Sequence, residues 1–165
     1  MAGAEIRALT DRQAIHDVLM RYARGIDRRD FDLVASCYHP GATDDHGRFK
    51  GSVEAFIPWV TATLEHFDST MHFLGNVLID IDGDTADAET YCVAYHRLRD
   101  ADTDSIAGLR YVDRFERRAS DWRIANRKIV VEWNRIDEVD SPGFGPEYIR
   151  GSTAPTDPVF ERNTT

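Results

Sequence analysis

Only two cysteines, Cys37 and Cys92, occur in the 165 residues. That is too few for a disulfide framework, and neither has a nearby histidine at metal-ligand spacing. No apolar run approaches the roughly 18 residues that a membrane-spanning helix needs. Positive charge is also short: 20 basic against 29 acidic side chains leave a net charge of -9. Nucleic acid and anionic membrane surfaces call for the opposite balance, so neither is an expected partner. Lys50 and Lys128 are the only lysines; the other basic residues are arginines. The local signatures of cofactor chemistry are missing as well. The sequence has no phosphate loop, no glycine-rich dinucleotide fingerprint, no Cys-x-x-Cys and no His-Glu-x-x-His. These gaps predict no nucleotide cofactor and no metal. The N-terminal Met1-Ala2-Gly3-Ala4-Glu5 lacks the basic-then-apolar pattern of a signal peptide. The expectation is a cytoplasmic protein with reduced thiols.

What is present reads as a globular α+β domain. The hydrophobic fraction of 42% supports a core, and the charged fraction of 30% supports a solvated surface. The length fits one domain, here placed at 1–138, followed by a polar tail at 139–165. Thr10 and Gln13 form a capping-box pattern, so a first helix is predicted from near Thr10. Ile15, Val18, Leu19, Tyr22 and Ile26 fall on one face of it. A short second helix follows Asp30 and ends before His39-Pro40-Gly41. The polar stretch from Ala42 to Lys50 has room for one edge strand. A third helix is capped by Ser52, with Pro58 expected to kink it or delay its start. From Ser69 the period changes to two. It predicts strands at 70–81, 86–99, about 105–118 and 121–135. Helices followed by a meander of long strands give a curved, mainly antiparallel sheet wrapped around helices. The tail holds Phe144, Tyr148, Ile149 and Phe160, which suggests that part of it docks; its last residues are expected to be disordered.

Several isolated side chains are candidates for chemistry. His72 begins a strand and shares parity with Leu74 and Leu78. It is either a partly desolvated base or a core histidine bonded to backbone. Asp27 lies about 120° from the centre of the apolar stripe, on its flank. It is either a site carboxylate or a solvated last-turn acid beside Arg28 and Arg29. His96 shares a strand face with Cys92, Ala94 and Leu98, a run of small side chains compatible with a cavity wall or with close helix packing. Tyr22 sits in the apolar stripe, as a core tyrosine or a hydrogen-bond donor. Arg110, Arg127 and Arg135 lie on late strands, where exposed arginines are usual and an anionic substrate group is the alternative. Phe56, Trp59, Val60 and Leu74 are a candidate apolar lining. His16, His39, His46 and His66 have no supporting context. His46, in Asp44-Asp45-His46, is read as solvated loop, because three adjacent residues cannot all converge on one ion.

Four segments taken together carry a resemblance. They are Tyr22-Ala23-Arg24-Gly25-Ile26-Asp27, Phe31-Asp32-Leu33, Met71-His72-Phe73-Leu74-Gly75-Asn76, and Tyr111 to Trp122 with Asp121-Trp122-Arg123-Ile124. In order and spacing, over roughly 10–136, they resemble the SnoaL-like branch of the nuclear-transport-factor-2-like superfamily. Within it the chain is similar to the scytalone dehydratases, the bile-acid 7α-dehydratases and the hexachlorocyclohexane dehydrochlorinases. The resemblance implies a cone-shaped α+β barrel with the pocket inside, commonly a trimer. It also implies a catalytic pair, an Asp ending the first helix and a His on the strand after the third, which match Asp27 and His72. A second pocket histidine of the scytalone dehydratases matches His96. A tyrosine five residues before the Asp in the bile-acid enzymes matches Tyr22. Two positions depart: the dehydrochlorinases have lysine where Tyr22 stands, and the scytalone dehydratases have tyrosine where Ile26 stands. The implied activity is cofactor-independent elimination on a small hydrophobic ring substrate. Isomerase, cyclase and ligand-binding roles remain open, and a homo-oligomer, dimer or trimer, is expected.

Overall fold

The structure is a computed structural model that describes residues 2–140 and 143–163. Three helices, α1 (Ala2–Arg28), α2 (Phe31–Ser36) and α3 (Val53–Leu64), pack on one six-stranded sheet. Its strands are β1 (Tyr38–Asp45), β2 (Lys50–Ser52), β3 (Phe67–Asp82), β4 (Thr85–Leu98), β5 (Thr103–Arg118) and β6 (Asp121–Glu138). The spatial order is β2-β1-β6-β5-β4-β3. All neighbours are antiparallel except β1 and β6, which pair in parallel. The sheet is therefore mixed, and it curves without closing, so the expected barrel is an open cone. The fold is α+β.

The first helix begins eight residues before the capping box. Thr10 Oγ1 donates back to the Ile6 carbonyl, and Gln13 donates to Asp17. The capping signature thus lies inside a helix that Ala, Glu, Arg and Leu residues extend upstream. Ile15, Val18, Leu19, Tyr22 and Ile26 are all buried, as their spacing predicts. The helix ends without a glycine. Arg29 takes the left-handed conformation (φ 53), and Asp30 N–H donates to the Gly25 carbonyl. Gly25 itself is needed for close approach: a Cβ there would meet Val34 Cγ2 of α2 at 2.7 Å. Asp30 caps α2 through the Leu33 N–H. Pro58 lies inside α3, which neither starts late nor ends there; Ser52 precedes it in an extended conformation.

Two departures in the strands change which side chains point inward. The polar stretch after α2 forms both β1 and β2, and β1 lies inside the sheet next to β6. In β3 the register with β4 shifts between Leu74 and Val77. After that bulge Val77 and Ile79 turn inward, and Leu78 is exposed on the outer face rather than sharing one with His72. No helix among the described residues is long and apolar enough to cross a membrane.

The concave face is graded. At one end Ala86, Ala88, Thr90, Tyr111, Asp113, Phe115 and Arg127 are buried beneath α1. Toward the other end the inward residues His72, Leu74, His96, Ala107, Leu109 and Ile129 are only half-buried. In the tail, Ala154 N–H donates to the Arg28 carbonyl, and Asp157 accepts from Arg28 and from the Ser152 N–H. The Arg24 guanidinium lies 5.5 Å from the Phe160 ring. Phe144, Tyr148 and Ile149, three of the apolar residues that suggested docking, are exposed; the Phe144 and Tyr148 rings lie 5.2 Å apart, tilted by 54°. The expected disorder of the last residues concerns positions outside those described.

Candidate active site

The last turn of α1 delivers Asp27 to the start of β3. Arg29 fixes this meeting, because its Nη2 donates to the carbonyls of Leu64 and Phe67, tying the helix end to the α3–β3 junction. The Asp27 carboxylate accepts three hydrogen bonds from β3. They come from the His72 backbone N–H at 2.9 Å, His72 Nδ1 at 2.7 Å and Thr70 Oγ1 at 3.2 Å. Because a carboxylate only accepts, Nδ1 must carry the proton in this pair. In the neutral ring that leaves the Nε2 lone pair facing away from Asp27. The two side chains are 9% and 11% exposed, so the pair is desolvated without being sealed. Thr70 was not foreseen as a site residue. Its parity with His72 on the strand is the signal that places it there.

His96 lies across from Thr70 on β4. Its ring stands edge-on to His72, with centroids 5.4 Å apart, and 4.7 Å from Phe67. Burial and the neighbouring His72 push its pKa down to about 4. A cation there would be poorly solvated, so the ring is neutral at pH 7. Ala94 and Ala107, facing each other across β4 and β5, keep the surface beside His72 low.

The other candidates lie elsewhere. Tyr22 is buried, with its ring 4.0 Å from the Arg127 guanidinium carbon and edge-on to Tyr38 and Tyr111. Burial raises its pKa, so the hydroxyl keeps its proton. Among the described residues it has no hydrogen bond to Asp27 or His72, in keeping with the divergent directions of Tyr22 and Asp27 on the helix. Arg127 is fully buried, contrary to the exposed position that is usual for arginine. It pairs bidentately with Asp113 (Nε–Oδ1 and Nη2–Oδ2 both 2.7 Å) and is sandwiched by the rings of Tyr22 and Tyr111. Arg110 points to the outer face and is held by Glu89 and Glu132. Arg135 is exposed and pairs with Asp137. Neither is brought near the Asp27–His72 pair. Phe56 and Val60 are core residues, while Trp59 and Leu74 are half-buried against the core, Trp59 beside Phe56. His39 is buried, with Nε2 2.8 Å from the Glu116 carbonyl.

His46 is not a solvated loop residue. It follows β1, packs its ring 4.8 Å from Phe56, and bonds through Nδ1 to the buried Asp44 carboxylate. Burial raises the pKa of Cys92 to about 11, so its thiol is inert at neutral pH. Among the described residues, no group of three or more His, Cys, Asp or Glu side chains converges as metal ligands.

A model of the SnoaL-like domain matches residues 7–128. Uncharacterized proteins of Mycobacterium tuberculosis and Mycobacterium bovis are 32% identical over 127 residues, covering 74% of this chain and 86% of theirs. Among solved structures, a protein from Kribbella flavida superposes with a TM-score of 0.72 at 23% identity, over 78% of this chain and 95% of that one. A candidate scytalone dehydratase from Novosphingobium aromaticivorans gives 0.73 at 17%, over 88% and 93%. A hexachlorocyclohexane dehydrochlorinase from Novosphingobium barchaimii gives 0.74 at 16%, over 86% and 99%. At these identities the structures establish the cone fold.

Proposed function

The chain belongs to the SnoaL-like family, and from that premise we propose that it is a cofactor-independent lyase of the dehydratase type. Its substrate is a small hydrophobic ring compound, such as a polyketide, steroid or aromatic. The observation that carries this reading is the bond from His72 Nδ1 to Asp27, which leaves Nε2 as the basic atom. His72 Nε2 removes a C–H proton next to a carbonyl. Asp27 holds the ring in that tautomer and stabilises the imidazolium, as the Asp of a serine-hydrolase triad does. The C–H electrons form the double bond, the C–O bond breaks, and the hydroxyl leaves with the proton as water. His96, neutral beside His72, donates a hydrogen bond to the departing hydroxyl. Trp59 and Leu74 supply half-buried apolar surface for the ring, with Phe56 beside Trp59. The dehydratase and dehydrochlorinase names among the structural relatives favour elimination. Isomerisation or cyclisation by the same residues would be seen as product of unchanged mass.

The test is a panel of hydroxylated ring ketones followed by mass spectrometry for loss of water. Asp27→Asn and His72→Ala should each lower turnover by about 10²–10⁴-fold while the proteins remain folded and still bind ligand. Unimpaired turnover in either variant would contradict the reading. A homo-oligomer is part of this proposal. The exposed Met71, Phe73, Val93 and Trp133 on the outer face are the candidate contact, checked by sedimentation.

A further inference from the structure

A second carboxylate–imidazole pair, Asp44 and His46, is not used by the reading above. Asp44 and His46 are two residues apart at the end of β1, so their side chains leave the same face. Asp44 is 1% exposed. Its Oδ2 accepts the Tyr38 hydroxyl at 2.6 Å, and its Oδ1 accepts His46 Nδ1. Tyr38 is itself buried, edge-on to Tyr22, so the carboxylate is anchored from below. Since Asp44 can only accept, Nδ1 of His46 is the donor, and Nε2 of the neutral ring holds a lone pair. Among the described residues that nitrogen has no hydrogen-bond partner. The His46 side chain is 17% exposed, in contrast to the sealed Asp44 beneath it.

The surroundings are aromatic. The His46 ring lies 4.8 Å from Phe56 and 5.9 Å from Trp59. Phe49 lies 5.2 Å from Trp59 and 5.6 Å from Phe56. The Phe49–Trp59, Phe56–Trp59 and His46–Phe56 planes are inclined by only 31–34°. Phe49 and Trp59 are half-buried, so ring surface remains available to a flat molecule. A basic nitrogen beside such a surface recognises an aromatic ring that carries a hydroxyl. We propose that His46, held by Asp44 and Tyr38, is a ligand-contacting residue whose Nε2 accepts a hydrogen bond from the hydroxyl of a planar aromatic or enolic ligand lying on Trp59 and Phe49. This rests on the reading that the cone holds a hydrophobic ring ligand, and it adds the ligand's hydroxyl as the recognised group.

The probes are 2-naphthol and 2-methoxynaphthalene, which differ in the one donor. Binding is followed by NMR of the full chain with ¹⁵N-labelled histidine, in wild type, His46→Phe and His46→Gln. 2-Naphthol should move the His46 Nε2 resonance and bind wild type about tenfold more tightly than His46→Phe, the loss expected for one hydrogen bond. 2-Methoxynaphthalene should bind all three alike. Equal naphthol affinity in wild type and His46→Phe, or no naphthol binding to wild type, would overturn the proposal. If His46→Phe melts early, the wild-type preference for 2-naphthol over 2-methoxynaphthalene decides the matter, and His46→Gln, whose amide can donate to Asp44 and accept from the hydroxyl, should keep that preference. The His72 resonance separates this proposal from the dyad reading. A probe that moves His46 and not His72 upholds the present inference and removes the shared site. A probe that moves His72 alone does the reverse.

Discussion

Asp113 and Asp27 each hold a base against the same sheet, and the two pairs differ in what the base can do. Asp113 grips Arg127 with two 2.7 Å bonds, and both side chains are wholly buried. Guanidinium does not release its proton in a protein. That pair, clamped between Tyr22 and Tyr111, sets the shape of the closed end of the cone. Asp27 grips an imidazole instead, at the open end, where each side chain keeps about a tenth of its surface. Imidazole gains and loses a proton near neutral pH. One carboxylate therefore fixes a frame and the other can steer a proton. The choice of base and the degree of sealing decide which.

The sharpest way to break this comparison is Asp113→Ala. It strands a buried guanidinium, and unfolding by urea should show a loss of about 3–5 kcal/mol. A variant as stable as wild type would mean that the closed end is not the frame. A smaller and pH-dependent effect belongs to His96. Its folded pKa of about 4 lies below the ordinary value of 6.5. The unfolded chain takes up the proton first, so lowering the pH from 6.5 toward 4 costs stability, and the cost levels off below that. Wild type should lose stability over this window relative to His96→Phe, and parallel curves for the two would count against a desolvated ring.

How far these regions were legible in the sequence differs in the same way. The apolar stripe of α1 and the long antiparallel strands follow from periodicity, which local residues carry. The meeting of Asp27 with His72 does not, because it spans 45 positions and depends on Arg29 tying α1 to the α3–β3 junction. Only the resemblance brought those two residues together, and helix geometry alone left Asp27 on a flank. The burial of Arg127 was hidden for a related reason. Its partner Asp113 lies across the β5–β6 hairpin, and the aromatic clamp draws on α1 and β5. His46 departs from the expected solvated loop because Phe56 and Trp59 of α3 lie against its ring, contacts without a local signature. The alternation of Asp44 and His46 was the available clue, since residues two apart on a strand share a face. The bulge near Gly75 and Asn76, which reverses the face of Leu78, left no mark that periodicity could detect.

The central claim is that Asp27 holds His72 with its proton on Nδ1 and its lone pair on Nε2. The direct measurement is the tautomer of His72, read from its two ring ¹⁵N shifts in the neutral form, in wild type and in Asp27→Asn. The account predicts the Nδ1–H form in wild type and loss of that preference in the variant. An Nε2–H ring in wild type, or the same tautomer in both proteins, would contradict it.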